Sequence, residues 1–233
     1  MPAWQQPPLR PIDHVEKSLI TAILDGEYAP GETLPGERVL AQALGVTRPT
    51  LREALARLER DGWLTIQQGK ATRVNDFWRE GGPNILTGMV RHGEHLPRGF
   101  ISKLLAVRSV MAPAYIGSAV ERDATAVAAL AAEGERLPDE AAAFAAFDWR
   151  LHHELTVRCG NPVYTLILNG FAGFYEQVAQ RYFSRPEARA VSRAFYRQLA
   201  AAAAGGDRAG AERLARQVME ESIRQWRAGR DER

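Results

Sequence analysis

The chain of 233 residues is long enough for one large domain or two modest ones. Its 45 % apolar and 25 % charged residues are typical of a globular protein and exclude a largely disordered chain. The formal net charge of +2 is too small to identify a nucleic-acid-binding protein, so such a prediction must rest on local clusters of basic residues.

Three features of the sequence predict the cellular location: the cysteine count, the N-terminal segment and the longest uncharged run. The single cysteine, Cys159, cannot form an intramolecular disulfide and fits a reducing compartment. The N-terminal segment MPAWQQPPLRPIDH lacks a basic start followed by an apolar core, so it does not predict a signal peptide. The longest run without charged residues, 159–175, contains proline, glycine and asparagine and is short for a membrane span. We therefore expect a cytoplasmic protein with no membrane partner.

The first region predicts three helices in chain order. Residues 12–24 carry apolar side chains at helical spacing, and the following segment YAPGETLPGER ends that helix with prolines and glycines. Residues 38–44 predict a short second helix, and GVT predicts a turn. A third helix is expected at residues 48–61, with one apolar stripe formed by Leu51, Ala54, Leu55 and Leu58.

A hairpin is predicted directly after the third helix. Gly62 ends that helix at the position where a left-handed cap is most favourable. Two β-prone segments, 63–66 and 71–74, flank the turn sequence QQGK. Helix, helix-turn-helix and hairpin in this order predict a winged helix-turn-helix domain over residues 1–76. The segment FWREGGP, residues 77–83, is then the predicted linker.

Strand patterns vanish after about residue 84, and helical patterns recur between prolines and paired glycines. This second region, residues 84–233, predicts an all-α helical bundle, so the expected fold class of the chain is mainly α. The predicted helices span residues 100–121, 123–136, 139–158, 162–183, 186–204 and 207–228.

Positive charge is concentrated in the predicted helix-turn-helix and hairpin. From residue 38 to residue 73 there are seven arginines and lysines against three acidic residues, a local charge of about +4. Arg48, Thr50 and Arg52 lie at the start of the third helix, the end that enters the major groove, where arginine bonds guanine O6 and N7. Residues 68–70 at the hairpin tip are placed to reach the DNA backbone or minor groove. Arginines alone are not specific, because they also occur on solvated helix faces. The order of the elements, the spacing of the arginines and the basic hairpin together predict DNA binding.

The segment PGERVLAQALGVTRPTLREALARLERDGWLTIQQGKATRV resembles the DNA-binding domain of the GntR family of bacterial transcription regulators. Residue by residue, this resemblance implies DNA contacts from Arg38, Thr47, Arg48, Thr50, Arg52, Gly69 and Lys70.

The later segment FDWRLHHELTVRCGNPVYTLILNGFAGFYEQVAQRYFSRPEARAVSRAFYRQL, with ESIRQW near the end, resembles the effector domain of FadR-type members of that family. The similarity runs over essentially the whole chain. It implies a homodimer that binds a palindromic double-stranded DNA operator and releases it when long-chain acyl-CoA enters the all-α domain. It also implies repression of fatty-acid degradation genes and, in some members, activation of unsaturated fatty-acid synthesis genes. The expected effector is long-chain acyl-CoA, and no cofactor is expected.

Two positions in the DNA-binding segment depart from the FadR-type pattern. Pro49 stands where these regulators have a threonine, and Gln68 stands where they have a histidine. Proline offers a phosphate neither a hydroxyl nor an N–H group, although the first turn of a helix tolerates it. The resemblance therefore leaves the operator sequence open.

The same resemblance matches Arg108 and Ser109 on the long helix, and Ser222 and Trp226 on the last helix, to positions associated with ligand response. Arg108 is suited to a phosphate, whereas Trp226 is suited equally to the ligand and to anchoring the last helix. Met219 replaces a glycine of FadR-type domains and adds bulk, which bears on acyl chain length or affinity. An acyl chain needs apolar lining. Candidates, each equally suited to the core, are Leu104, Leu105, Val107, Ile116, Leu166, Ile167, Phe171, Phe174 and Tyr175.

Asp148 and His152 support an alternative, since they lie four residues apart on one face of a predicted helix. A carboxylate and an imidazole so placed suit a divalent metal or acid–base catalysis. The wider effector-domain family often binds a metal through one aspartate and three histidines, and the metal receives a small carboxylate. Here Tyr196 and Val218 occupy the other two places. Because valine cannot bind a metal, we expect no metal site. We expect no catalytic residues either.

An enzymatic role is not expected either. The chain has no Gly-rich phosphate loop, no GxSxG motif and no zinc-protease motif. A GntR-family regulator that senses a different small carboxylate, with a metal as one option, remains the alternative to an acyl-CoA-responsive regulator.

Overall fold

The computed structural model describes residues 10–91 and 96–229. The chain divides into two compact units, Met1–Pro97 and Arg98–Arg233. The outer ends of the two predicted domains, residues 1–9 and 230–233, lie outside the described residues. Most of the described chain is helical, which confirms the mainly α fold class.

Three helices form the helix-turn-helix part of the first unit: α1 (Pro11–Leu24), α2 (Glu37–Ala43) and α3 (Arg48–Arg60). Both α1 and α2 pack against α3. The predicted stripe on α3 is buried, so apolar burial holds this helix in place. Gly62 has φ of 93°, as expected for a residue that ends a helix in the left-handed conformation.

The hairpin consists of β1 (Leu64–Thr65) and β2 (Arg73–Val74), which pair antiparallel. A third segment pairs with the opposite edge of β2. The N–H of Val74 donates to the carbonyl of Glu32 at 2.8 Å, and Thr33 forms an isolated bridge with the same strand. The sequence analysis missed this third segment, because its flanking prolines and glycines predict only a break between helices.

The predicted linker 77–83 contains regular structure. Phe77–Glu80 forms the short helix α4, and Pro83–Arg91 forms α5. Phe77 is buried, with its ring centroid 5.2 Å from that of Trp63 in the same unit. The two glycines of FWREGGP lie between the two helices, and the boundary between the compact units falls later in the chain than the predicted linker.

All described elements of the second unit are helical. The helix α6 contacts α7, α10 and α11, and the buried side chains between these helices form the core of the bundle. The elements are α6 (Phe100–Glu133), a 3₁₀ turn (Gly134–Arg136), α7 (Ala141–Arg158), α8 (Pro162–Asn169), α9 (Ala172–Phe183), α10 (Pro186–Ala204) and α11 (Arg208–Ala228).

Helix α6 contains the break that separates the predicted helices 100–121 and 123–136. Asp123 has non-helical φ and ψ of −148° and 60°, and its Oδ1 accepts the N–H of Ala126 at 3.3 Å. By length and composition alone, Phe100–Arg136 is apolar enough to cross a membrane. In this fold it is the central helix of the bundle.

The predicted helix 162–183 is interrupted by Gly170 and Phe171, which separate α8 from α9. Just before α8, the side chain of Cys159 is buried, and its Sγ lies 3.0 Å from the carbonyl oxygen of Thr156. A buried thiol held in this way is typical of packing.

Candidate nucleic-acid interface and ligand cavity

Helix α3 begins at a well-formed cap. Oγ1 of Thr47 accepts the backbone N–H of Thr50 at 3.3 Å, and the two hydroxyl oxygens are 2.9 Å apart. Pro49 lies in the first turn, where a helix does not use its N–H groups internally. The arginines Arg48 and Arg52 follow, with side chains 56 % and 62 % exposed. The structure therefore leaves both arginines accessible at the N-terminal end of α3.

Glu37 is a charged neighbour that the sequence analysis missed, because it precedes the basic cluster by one residue. Its Oε2 lies 2.8 Å from Nε of Arg52 and 3.4 Å from Nη2 of Arg48. Slight burial opposes ionisation of Glu37, but the hydrogen bonds from Arg52 and Arg48 outweigh that effect and lower its pKa. Including Glu37, seven basic residues stand against four acidic ones.

Two of the predicted DNA-contact residues, Gly69 and Lys70, lie at the hairpin tip. Gly69 has φ of 77°, a conformation that favours glycine, and the N–H of Lys70 donates to the carbonyl of Gln67 at 3.1 Å. Residues 67–70 are all exposed, as is Arg38 on α2. The seven predicted contact residues thus lie on α2, at the start of α3 and at the hairpin tip, all within one compact unit.

A cavity lies among the helices of the second unit. It holds about 1120 Å³ of space, its solvent-open mouth included. Of the predicted lining residues, Ile116 lies in the fully buried core, Leu166 is 69 % exposed, and the side chain of Phe174 lies outside the described residues. The remaining six line the cavity: Leu104, Leu105, Val107, Ile167, Phe171 and Tyr175.

Three of the four predicted ligand-response residues line this cavity: Arg108, Ser222 and Trp226. Ser109 does not line it. The hydroxyl of Ser109 donates to the carbonyl of Ala106 at 2.7 Å on the same helix. Met219 also lines the cavity and is nearly buried, so the predicted extra bulk is part of the wall.

Asp148 is the centre of a buried polar cluster in the cavity wall. Its Oδ2 accepts Nη2 of Arg108 at 3.0 Å and the hydroxyl of Tyr175, and its Oδ1 accepts the hydroxyl of Tyr196 at 2.9 Å. Burial alone would raise the pKa of Asp148, but the charge of Arg108 and these hydrogen bonds lower it. Asp148 and Arg108 therefore form a buried ion pair.

His152 completes this cluster in an uncharged form. It is fully buried, and its Nδ1 lies 2.7 Å from the hydroxyl of Tyr115. Burial and the nearby charge of Arg108 lower the pKa of His152 to about 3, against the opposing effect of Asp148. The imidazole is neutral at physiological pH.

The cluster does not have the composition of the metal site found in the wider effector-domain family. Tyr196, at the place of one histidine ligand, donates its hydroxyl to Asp148, and Val218, at the place of another, lines the cavity. Among the described residues, no three His, Cys, Asp or Glu side chains come together in a group that could hold a metal.

Known proteins match both units of this chain. The profile of the GntR family of bacterial regulatory proteins matches residues 11–74, and that of the FadR C-terminal domain matches residues 75–232. Fatty acid metabolism regulator proteins from Edwardsiella ictaluri and Shewanella halifaxensis are each 45 % identical to the chain. The matches cover 83 % and 81 % of this chain, and 81 % and 79 % of those proteins.

The chain belongs to the FadR-type branch of the GntR family. The solved structure of Lar, which controls expression of the Listeria monocytogenes agr system, covers 94 % of this chain and 98 % of its own. With a TM-score of 0.59 and 21 % identity, it supports the fold.

Sequence reasoning found only part of this FadR-type cavity. Helical spacing brought Asp148 and His152 together correctly. The partners that determine their chemistry are Arg108, Tyr175 and Tyr196, which lie 27 to 48 residues away along the chain and on other helices. A buried carboxylate requires nearby hydrogen-bond donors. The position of Asp148 on an apolar helix face therefore indicated that such donors exist, but the sequence pattern could not identify them.

Proposed function

We propose that this protein is a cytoplasmic transcription regulator of fatty-acid metabolism that binds a palindromic operator as a homodimer and leaves it when long-chain acyl-CoA binds. The curated relatives that match four fifths of this chain are named fatty acid metabolism regulator proteins. We further propose repression of fatty-acid degradation genes, activation of unsaturated fatty-acid synthesis genes as a second role, and no enzymatic activity.

The first unit supports operator binding. An exposed N-terminal end of a recognition helix, bearing Arg48 and Arg52, is the geometry with which helix-turn-helix proteins contact base edges in the major groove. The exposed tip at Gly69 and Lys70 adds a second contact, suited to phosphate oxygens. In this arrangement α3 supplies sequence readout and the hairpin supplies non-specific affinity.

The single observation that carries the effector assignment is the cavity in the second unit. Small-molecule sites combine apolar walls with a few polar groups. This cavity has that composition, and apolar side chains from α6, α8 and α9 supply much of its wall. A long hydrocarbon chain fits such walls, whereas a small carboxylate leaves most of them without contact.

The charge of the polar cluster also favours an acyl derivative over a free acid. The positive charge of Arg108 is balanced by Asp148, and His152 is neutral. A carboxylate placed beside this cluster would be buried without a counter-charge, which is costly. The alternative regulator that senses a small carboxylate is therefore less well supported than a regulator that binds a thioester.

The cavity and the recognition helix lie in different units, so release of DNA requires coupling between two distinct sites. We propose that acyl-CoA changes the separation of the two recognition helices in the homodimer, which would mismatch the operator half-sites. Unchanged separation with and without the ligand would disprove this route.

The test is fluorescence anisotropy of a labelled FadR-type palindromic operator at a fixed salt concentration, before and after addition of oleoyl-CoA. Tight binding reversed by oleoyl-CoA but not by oleate is the expected result. Binding that ignores oleoyl-CoA would keep the DNA-binding role and remove the effector assignment. Absence of binding to this operator would indicate that Pro49 and Gln68, the two departures from the FadR-type pattern, change the operator preference.

A further inference from the structure

Among the described residues, three cavity-lining side chains each have a buried polar atom without a hydrogen-bond partner: Nε of Arg108, Nε2 of His152 and Nε1 of Trp226. Of these three residues, the ring of His152 is the neutral one inside the polar cluster. His152 is 0 % exposed and lines the cavity, yet its Nε2 has no hydrogen-bond partner among the described residues. The nearest carboxylate oxygen, Oδ1 of Asp148, is 3.7 Å away, which is too long for a hydrogen bond. Buried side-chain polar atoms nearly always have a partner, so this exception requires an explanation.

The hydrogen bond on the other side of the ring determines what Nε2 can do. Among the described residues, the hydroxyl of Tyr115 has one hydrogen-bond partner, Nδ1 of His152 at 2.7 Å. Its single hydrogen therefore has no other acceptor there and is satisfied by donating to that nitrogen. The opposite tautomer would leave both the Tyr115 hydrogen and Nε2 unsatisfied. The neutral ring therefore carries its hydrogen on Nε2.

Asp148 does not accept that hydrogen, because its Oδ1 is 3.7 Å from Nε2. The oxygens of Asp148 accept instead from Arg108, Tyr175 and Tyr196. The N–H of His152 is thus a neutral donor that the cluster leaves unpaired, as it also leaves Nε of the charged Arg108, and it lines the space where a ligand would bind. A ligand oxygen would remove the cost of leaving this donor unsatisfied.

We infer that Nε2 of His152 donates a hydrogen bond to the carbonyl oxygen of the bound acyl thioester. The inference rests on the proposed acyl-CoA function and deepens it by assigning one residue to one ligand atom. A thioester carbonyl matches the site because it is an uncharged acceptor next to an ion pair that is already balanced. His152 is then a specificity residue for the acyl group, in addition to the apolar walls that bind the hydrocarbon.

A pair of ligands that differ only at the carbonyl tests the assignment. Isothermal titration calorimetry of the full chain would compare palmitoyl-CoA with S-hexadecyl-CoA, the thioether that lacks the carbonyl. Wild-type protein should bind palmitoyl-CoA about tenfold more tightly. His152→Phe should abolish this preference by weakening palmitoyl-CoA alone, whereas equal weakening of both ligands would overturn the inference. His153→Phe makes the same change at the next residue, which does not line the cavity, and should keep the preference.

Two further measurements guard against a folding defect. His152→Gln places an amide N–H near the position of Nε2 and should retain most of the preference. Infrared spectra of bound palmitoyl-CoA with ¹³C at the carbonyl should show a lower stretching frequency in wild type and His152→Gln than in His152→Phe. Equal frequencies in all three would overturn the inference. If wild-type protein binds neither ligand, the acyl-CoA function itself fails; if it binds both equally, only the role of His152 fails.

Discussion

Glu37 pairs with Arg48 and Arg52, which are proposed DNA contacts, and so offsets part of their positive charge. Replacing it with glutamine removes the carboxylate that lies 2.8 Å from Arg52 and 3.4 Å from Arg48. We expect Glu37→Gln to raise affinity for non-operator DNA by about threefold to tenfold and to steepen its salt dependence, because a negative charge near the phosphates is lost.

Fluorescence anisotropy with a random duplex at several salt concentrations measures this effect. Glu53→Gln is the matched control, since Glu53 lies on α3 but pairs with Arg57. Equal changes in the two variants would show that Glu37 acts only through the total charge of the unit.

His152 should make stability depend on pH. Its folded pKa is about 3, below the ordinary value of 6.5. Between these values the unfolded chain binds more protons, so the free energy of unfolding increases with pH and levels off above about 6.5. Acidification from about pH 6.5 to about pH 5 should cost wild-type protein roughly 2 kcal/mol at this residue.

Urea denaturation of wild-type protein and His152→Phe at the two pH values isolates this contribution, because other histidines cancel in the difference. The variant should lose less stability on acidification. The same loss in both proteins would mean that the imidazole is protonated in the folded state.

At the scale of elements, Asp123 ends one helical segment of α6 and begins the next. Asp123→Ala removes the acceptor for the N–H of Ala126 and should lower the free energy of unfolding by about 1 kcal/mol. Asp123→Asn keeps a cap oxygen while removing the charge that lies 3.7 Å from Arg158. If the cap matters, denaturant midpoints will fall for the alanine variant and stay close to wild type for the asparagine variant.

Elements with clear end signals were predictable from sequence. The helix at 186–204 was predicted with its observed bounds, because Pro186 can begin a helix and paired glycines follow it. Helices α4 and α5 were missed, since both are short and FWREGGP contains strong helix breakers. The third strand-like segment was missed for a related reason: its pairing with β2 is long-range, and no local pattern specifies it.

In the candidate site too, local features were predictable from the sequence and long-range contacts were not. Contacts within one helix, such as the spacing of Asp148 and His152, follow from the helical period. Arg108 and Tyr196 reach Asp148 only after three helices have packed, so their roles depend on tertiary geometry. Resemblance to known regulators named Arg108 but did not indicate that a carboxylate balances its charge.

At the scale of the whole molecule, two separate units carry the two proposed binding events. Coupling between them must be reciprocal, because it is a single free energy. If oleoyl-CoA weakens operator affinity by some factor, typically about 5-fold to 150-fold, saturating operator must weaken oleoyl-CoA binding by the same factor. Anisotropy and calorimetry measure the two factors independently. Unequal factors would show that DNA or ligand also changes the oligomeric state.

The burial of Cys159 has a practical consequence. A thiol that is 6 % exposed reacts slowly with maleimide reagents, and it is the only cysteine in the chain. A cysteine introduced at the exposed Ala56 of α3 would therefore take up a spin label selectively, without removal of the native residue. In a homodimer the two labels would report one distance, and electron paramagnetic resonance could follow it as acyl-CoA is added.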